Sequence, residues 1–398
     1  VPNDYVYLDY AATAPLCEEA AEAMAPYQVP GRANLAVGGN ANSLHGPGRA
    51  AFAALEEARR SIARDLGARR PDGIVFTSGA TEADDAALLG IAQAAADERR
   101  RRGAGDFVPH VVVTAVEHDA VLAPAKRLES QGFRVTRLAP NRQGFIEERA
   151  LEAALDADTV LVSVQAANSE VGSIQPIADL ARVAHDHAAL FHTDAVQALG
   201  KARVNLQELD VDAASFSAHK VGGPKGVGAL YLRARTPFHA YAIGGGQEGG
   251  RRSGTQNVAG IVGFAAAVHA ATAMQEAEAA RLRVLRDRLY ERLGAIDAVE
   301  ATVDVVPGSE DFLPNIVHVL VDGLESETLI LRFDMQGFGV SGGSACSSHS
   351  LEPSHVLRSL GIDADRAHGA LRISMGRYTD EADVEAFAVA MEKSLNWN

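Results

Sequence analysis

Ser217-Ala218-His219-Lys220-Val221-Gly222-Gly223-Pro224-Lys225-Gly226 is the stretch on which the reading of this chain turns. The apolar run Val211 to Phe216 leads into it, and a second, Val227 to Leu232, follows. One lysine therefore stands between a Ser-x-His and a Gly-Gly-Pro turn. Burial there would strip Lys220 of solvent, lower its pKa and free an amine for Schiff-base chemistry. The Ser217 hydroxyl and the His219 ring could hold an anionic group beside it. Taken alone, Lys220 reads equally well as a surface lysine in a glycine-rich hairpin.

The segments around this stretch separate the two readings. Short β-branched runs recur at Ile74–Thr77, Val111–Thr114, Thr159–Val164, Leu190–Thr193 and Val227–Leu232, most of them separated by alanine-rich helical stretches. That rhythm predicts an α/β domain with a largely parallel sheet covered on both faces. Ligands then bind at the carboxyl ends of the strands. Ser78-Gly79-Ala80-Thr81-Glu82 follows the first run and opens a helix whose small residues leave first-turn N–H groups free for a phosphate. Glu117-His118 follows the second run, and His118 could stack on a flat ring and move a proton. Ala167-Asn168-Ser169-Glu170 forms a polar turn able to bond a ligand oxygen. His192-Thr193-Asp194-Ala195-Val196-Gln197 ends the next run with an aspartate that is costly to bury unless a cation meets it. Asp194 followed by Lys220 at this interval is the spacing of a pyridoxal phosphate (PLP) site, in which the carboxylate keeps the ring nitrogen protonated.

Composition bounds the class. A chain of 398 residues exceeds one single-core domain, so two domains around a cleft are expected. No run of about 18 apolar residues is present, and no basic flank precedes an apolar core at Val1-Pro2-Asn3-Asp4. Neither a membrane span nor a signal peptide is expected. A net charge of -15 argues against nucleic acid or an anionic membrane as the main partner. The basic run Arg99 to Arg102 reads as a solvated helix end. Two cysteines, Cys17 and Cys346, exclude a disulfide framework and a cysteine-rich metal site, and fit a reducing cytoplasm. A glycine-rich loop runs from Gly244 to Thr255, and one long amphipathic helix is predicted from about Phe264 to Leu293 as the connector into a smaller domain. Cys346 lies in Gly339-Val340-Ser341-Gly342-Gly343-Ser344-Ala345-Cys346-Ser347-Ser348-His349-Ser350, too poor in bulky residues to pack a core. A reactive thiol is the better reading there. Cys17 has no such setting and reads as structural.

Together these stretches resemble the cysteine desulfurases of the NifS/IscS type, class V, fold-type I PLP enzymes. The matching pieces are Tyr7-Leu8-Asp9-Tyr10-Ala11-Ala12-Thr13, Phe76 to Glu82, Glu117-His118, Asp194 to Gln197, Ser217 to Lys220, Arg252 to Thr255, and Ser344 to Ser348 with Leu351-Glu352-Pro353-Ser354. The resemblance implies a large PLP-binding domain (21–263) with a mostly parallel seven-stranded sheet, and a smaller α+β domain (264–398) carrying the cysteine loop. An N-terminal arm (1–20) would pack with the small domain. Lys220 would hold PLP, Asp194 would pair with its ring nitrogen, and His118 would stack on the ring. Gln197 and Asn168 would reach the ring hydroxyl. Ala80, Thr81, Ser217 and His219 would bind the phosphate, with Thr255 supplied by the second subunit of a homodimer. Arg372 and Asn40 would take the substrate carboxylate. Lys220 and His118 would move protons, and Cys346 would take the substrate's sulfur as a persulfide.

The implied reaction converts L-cysteine to L-alanine and passes sulfur to an acceptor, such as an iron-sulfur scaffold protein or a pathway of tRNA or cofactor thiolation. The chain departs from the family pattern at Asn40-Ala41-Asn42-Ser43-Leu44-His45, where Asn-Pro-Ser-Ser-x-His is usual, and at Ser169, where a second Asn is frequent. Many relatives carry a longer tail beyond the last helix that helps dock a scaffold. Competing readings are a selenocysteine lyase, another class V aminotransferase, or a sulfur-relay protein without catalysis. The last is disfavoured by the joint presence of Lys220, Asp194, His118 and Cys346.

Overall fold

The computed structural model describes residues 5–103, 107–343 and 353–396. Its strands, in chain order, are β1 (Val6–Tyr7), β2 (Ile74–Thr77), β3 (His110–Thr114), β4 (Arg134–Leu138), β5 (Thr159–Ser163), β6 (Leu190–Asp194), β7 (Ala213–Ser217), β8 (Gly228–Leu232), β9 (Val299–Ala301), β10 (Ile316–Val321), β11 (Phe338–Gly339) and β12 (Ala370–Ser374). Seven of them form one sheet in the order β2-β8-β7-β6-β5-β3-β4. β8 is antiparallel to both neighbours, and every other pair is parallel. The strands β2, β3, β5, β7 and β8 are buried at every residue. Parallel strands reach this state only when helices cover both faces.

Four helices of the first half are used below: α1 (Glu18–Met24), α2 (Gly46–Asp65), α3 (Ala80–Arg101) and α4 (Asp119–Ser130). Leu55 and Ile62 of α2 join one core with Leu180 and Phe264 from later helices. Leu88 and Ile91 of α3 join the other with Val121 and Leu128 of α4. The basic run at the end of α3 is more than a solvated end. Arg99 donates to the carbonyl oxygens of Ala157 (2.6 Å), Thr159 (2.7 Å) and Ala188 (2.9 Å), which ties the helix to the chain entering β5 and β6.

The single helix predicted from Phe264 to Leu293 is two helices, Val258–Ala273 and Gln275–Gly294, meeting at 69°. Each serves a different core, which a straight rod could not do. The first is apolar on all sides and lies among the large-sheet helices, with Ala267 against Ala20 of α1. The second turns Leu282, Leu285, Leu289 and Leu293 into a separate core. That core is built on the antiparallel sheet β12-β10-β9 and the helix Glu381–Leu395. β1 pairs with β11, and Leu8 is buried in the same core, so the N-terminal strand is stitched to the chain's second half. Among the described residues no single helix is long and apolar enough to cross a membrane.

Candidate active site

Because the strands run parallel, the residues that follow β2, β3, β6 and β7 emerge at one edge of the sheet. A cavity of about 520 Å³ opens there. Its wall includes Ala80, Thr81, His118, Asp194, Gln197, Ser217, His219, Lys220 and Arg372. Segments as much as 361 residues apart in sequence (Ala11 to Arg372) thus converge on one space. A larger groove of about 620 Å³, with Arg69, Arg70, Arg233, Arg235 and Arg251 on its wall, contains none of the predicted site residues.

Lys220 ends the short 3-10 turn Ala218–Lys220 that continues β7. Its Nζ donates to the carbonyl oxygens of Ala11 (2.5 Å) and Ala12 (2.8 Å) in the N-terminal segment. Gly222, at φ +81°, makes the reversal after the lysine, a backbone conformation that a side chain would strain. Asp194 closes β6 fully inside the protein, and its Oδ1 accepts the Val196 N–H at 2.9 Å. Burial raises its pKa, partly offset by that N–H and by the charges of His118 and Lys220. No arginine or lysine forms an ion pair with Asp194 among the described residues. A buried carboxylate facing a cavity without a cation of its own suits a positively charged ring nitrogen. Gln197 donates from Nε2 to the Ala11 carbonyl (3.0 Å), while its buried Oε1 has no partner among the described residues.

His118 caps α4, and its Nδ1 accepts the Ala120 N–H at 3.1 Å. In the neutral ring the proton therefore sits on Nε2. His219 bonds the Thr13 hydroxyl through Nδ1 (3.1 Å). Burial and the nearby Lys220, Lys225 and Lys201 push its pKa down to about 4, so it is neutral at physiological pH. The α3 N-terminus comes close because β8 begins with glycine. A Cβ at Gly228 would lie 2.7 Å from the Gly79 Cα and 2.6 Å from the Phe216 carbonyl oxygen. Arg372, 1% exposed, donates to Asp9 Oδ1 (2.9 Å) and to the Ser169 carbonyl (3.0 Å), and its buried Nε has no partner among the described residues.

The remaining predicted residues lie elsewhere. Asn168 is buried beside the cavity but spends its side chain on the turn: Oδ1 accepts from Glu170 N and Val171 N (both 2.9 Å), and Nδ2 donates to the Val116 carbonyl (3.2 Å). Ser169 lines the cavity in its place. Asn40 and Thr255 are exposed and outside the cavity of their own chain. They sit on neighbouring loops, joined by Asn42 Nδ2 donating to Gln256 Oε1 (3.2 Å). Cys346 lies outside the described residues. The flanks of 344–352 do not: Ser341 pairs with Arg372 through both backbone groups (3.2 and 2.7 Å), and Ser354 Oγ donates to Glu170 Oε2 (2.6 Å). His355 Nε2 lies 2.9 Å from the carbonyl oxygen of Glu117. Both flanks therefore come together at Glu170, one residue from Ser169 of the cavity wall, with Ser341 paired to Arg372, another wall residue. Cys17 is buried and free, its thiol pKa raised by burial.

Two buried acids near the site have no role of their own in the sequence reading. Asp84, one turn into α3, is wholly buried, and neither oxygen meets a donor among the described residues. His192 stands 3.6 Å away, but burial holds that ring's pKa down to about 3, so it is no cation. Asp84 is held well above the usual carboxylate range by burial and by Asp194. Glu117, fully buried, is raised to about 8 by burial, although Thr114 Oγ1 and Gln165 N donate to it at 2.8 Å. Only the fold shows that these carboxyls lack cations.

The comparisons with known proteins agree with this geometry. The family described as aminotransferase class-V matches residues 6–387. The chain is 42% identical over 390 residues to a cysteine desulfurase IscS of Dictyoglomus turgidum, covering 98% of this chain and 94% of the other. It is 41% identical over 392 residues to a cysteine desulfurase IscS of Pectobacterium carotovorum, covering 98% and 92%. Among solved structures, a NifS-like protein superposes with a TM-score of 0.87 at 36% identity, covering 99% of this chain and all of the other. An SspA in complex with cysteine superposes with a TM-score of 0.77 at 32% identity, covering 94% and 100%.

Proposed function

The chain belongs to the class-V aminotransferase family, and from that premise we propose that it is a PLP-dependent cysteine desulfurase. It converts L-cysteine to L-alanine and holds the released sulfur as a persulfide on Cys346. The observation that carries the reading is the meeting of Lys220, Asp194 and Arg372 on one cavity, with the flanks of 344–352 bonded to Arg372 and to Glu170 beside it. An aminotransferase would need no cysteine nucleophile.

The residues present suit PLP. Asp194 brings a buried carboxylate with no cation of its own, Gln197 a buried unpartnered oxygen, and the α3 start a set of N–H groups brought close by Gly228. Lys220 would hold PLP, with Ala80, Thr81, Ser217 and His219 at its phosphate, Gln197 at its ring hydroxyl and Asn168 supporting the turn beside it. When bound, PLP supplies an electron sink for charge left at the substrate Cα. Arg372 receives the substrate carboxylate, and its planar guanidinium fixes the orientation of Cα in a way an ammonium would not. Lys220 Nζ, released from the Ala11 and Ala12 carbonyls, takes the proton from Cα. His118 Nε2 exchanges protons on the ring-facing side. Cys346 brings a thiolate to the substrate sulfur: an S–S bond forms, the substrate C–S bond breaks, and its electron pair stays with the alanine skeleton.

Thr255 and Asn40 belong to a homodimer in this proposal, their joined loops reaching a second copy's cavity. The division into an arm (1–20), a large domain (21–263) and a small domain (264–398), a cytoplasmic setting, and an acceptor in iron-sulfur assembly or thiolation are proposed on the resemblance. Purified protein given PLP and L-cysteine under a reducing thiol should release alanine and sulfide in equal amounts, and Lys220→Ala neither. Transfer of the amino group to a 2-oxo acid without sulfide would identify an aminotransferase instead. A strong preference for selenocysteine would identify a selenocysteine lyase.

A further inference from the structure

Lys201 stands behind Lys220. Its Nζ donates to the carbonyl oxygen of Lys220 at 3.2 Å, and its own carbonyl accepts from Gln275 Nε2 at 3.2 Å. A second hollow of about 120 Å³, mainly apolar, lies on that side, and Lys220 lines both it and the larger cavity. Lys220 is thus a partition with the reaction space in front and Lys201 at its back. Part of the Lys201 residue surface is open to this hollow, but the amine is deep enough that burial, then Lys220, lower its pKa to about 7.

No carboxylate offsets this second ammonium among the described residues. Glu278 faces the hollow but is bound to Arg281 (2.7 Å), and Arg377 is bound to Glu19 (2.8 Å). Tyr10 and Cys17 are kept neutral by burial, Tyr378 is a phenol, and His219 is neutral. A buried amine without a counter-ion costs stability, and here it is spent beside the lysine that does the chemistry.

We propose that Lys201 is a positioning residue for Lys220: it clamps the turn through the Lys220 carbonyl, and its charge makes the Lys220 nitrogen release its proton more readily. The proposal rests on the reading that Lys220 carries PLP. Its test is a pH titration of the visible absorbance of the PLP-loaded protein, in wild type, Lys201→Met, Lys201→Gln and Lys201→Arg. Over the pH range in which Lys201 is protonated its charge opposes a second one on Lys220, so removing it lets Lys220 keep its proton longer, and the midpoint should rise, by at most about one pH unit, in the Met and Gln variants. Lys201→Arg, charged at every pH, should stay at or below wild type. Gln keeps a donor for the carbonyl, so it separates the charge from the clamp and covers the case in which the Met variant folds poorly. The PLP-free protein gives an independent reading. The Lys201 pKa is lower folded than unfolded, so wild-type stability should climb between about pH 7 and 10 relative to Lys201→Met. If Gln and Met titrate at the wild-type pH and only their melting temperatures fall, Lys201 is a structural prop and the proposal is overturned. A wild type with no pH-dependent absorbance would instead strike at the PLP reading itself.

Discussion

Glu117 is an acid that the fold keeps in its neutral form. Burial raises it to about 8, and its two donors, Thr114 Oγ1 and Gln165 N, meet Oε1, leaving Oε2 unpartnered. A raised carboxyl pKa contributes full stability below the unfolded value and loses it as pH rises toward the folded one, on the order of 1.4 kcal/mol per pH unit. Glu117→Gln keeps the accepting oxygen and cannot ionise. It should therefore melt higher than wild type at pH 8 and equal to it near pH 4, as calorimetry across that range would read. A lower melting point at pH 8 would mean that Glu117 is ionised and useful. At this scale Lys220, Asp194 and His118 were legible because each follows an apolar run that must become a strand, and strand ends are where parallel sheets bind ligands. Asp84 and Lys201 were not, and Glu117 reads only as the neighbour of His118. What marks all three is the absence of a counter-charge among the described residues, and that depends on neighbours brought in by other elements of the fold. Asn168 reads as a ligand contact because nothing in sequence reveals that its amide oxygen is taken by the turn and one of its N–H groups by the Val116 carbonyl.

The approach of α3 to β8 makes the proposed phosphate site, and Gly228 permits it. Replacing Gly228 with Ala places a methyl 2.7 Å from the Gly79 Cα, so either α3 or β8 must move. Gly228→Ala should weaken affinity for PLP at least about tenfold, since a displaced helix start loses its hold on an anion. Affinity for pyridoxal, which lacks the phosphate, should change far less. Equal losses for both ligands would show that the distortion is general. Strands β2, β5 and β6 match their apolar runs to within a residue. β4 escaped because it is an edge strand reading Arg-Val-Thr-Arg-Leu, with no apolar run to announce it. The bend at Met274 escaped because continuous helical periodicity does not record which of two cores each half serves.

At the scale of the whole molecule, Leu44 and Ile243 are each 89% exposed, Leu44 in the segment of Asn40 and Ile243 at the start of the loop that ends at Thr255. Apolar residues left in water beside loops that miss their own cavity are what a second copy would cover. Mixing inactive Lys220→Ala with impaired Thr255→Val, then allowing subunits to exchange, tests this. If Thr255 acts across the dimer, each mixed dimer regains one intact site, and activity should recover to about a quarter of wild type at equal mixing. No recovery would place Thr255 within its own subunit. The long amphipathic connector predicts a second domain from sequence; its later half does enter a core apart from those of the large sheet, whereas the return of Leu8 and β1 to that core was visible only in the fold.

The account stands most directly on where the sulfur goes. The holoenzyme would be exposed to L-cysteine without a reductant, then digested and analysed by mass spectrometry alongside Cys346→Ala. One extra sulfur on the Cys346 peptide, none on the Cys17 peptide and no alanine beyond background from the variant is the predicted result. Sulfur on Cys17, or wild-type alanine production by Cys346→Ala, would contradict it.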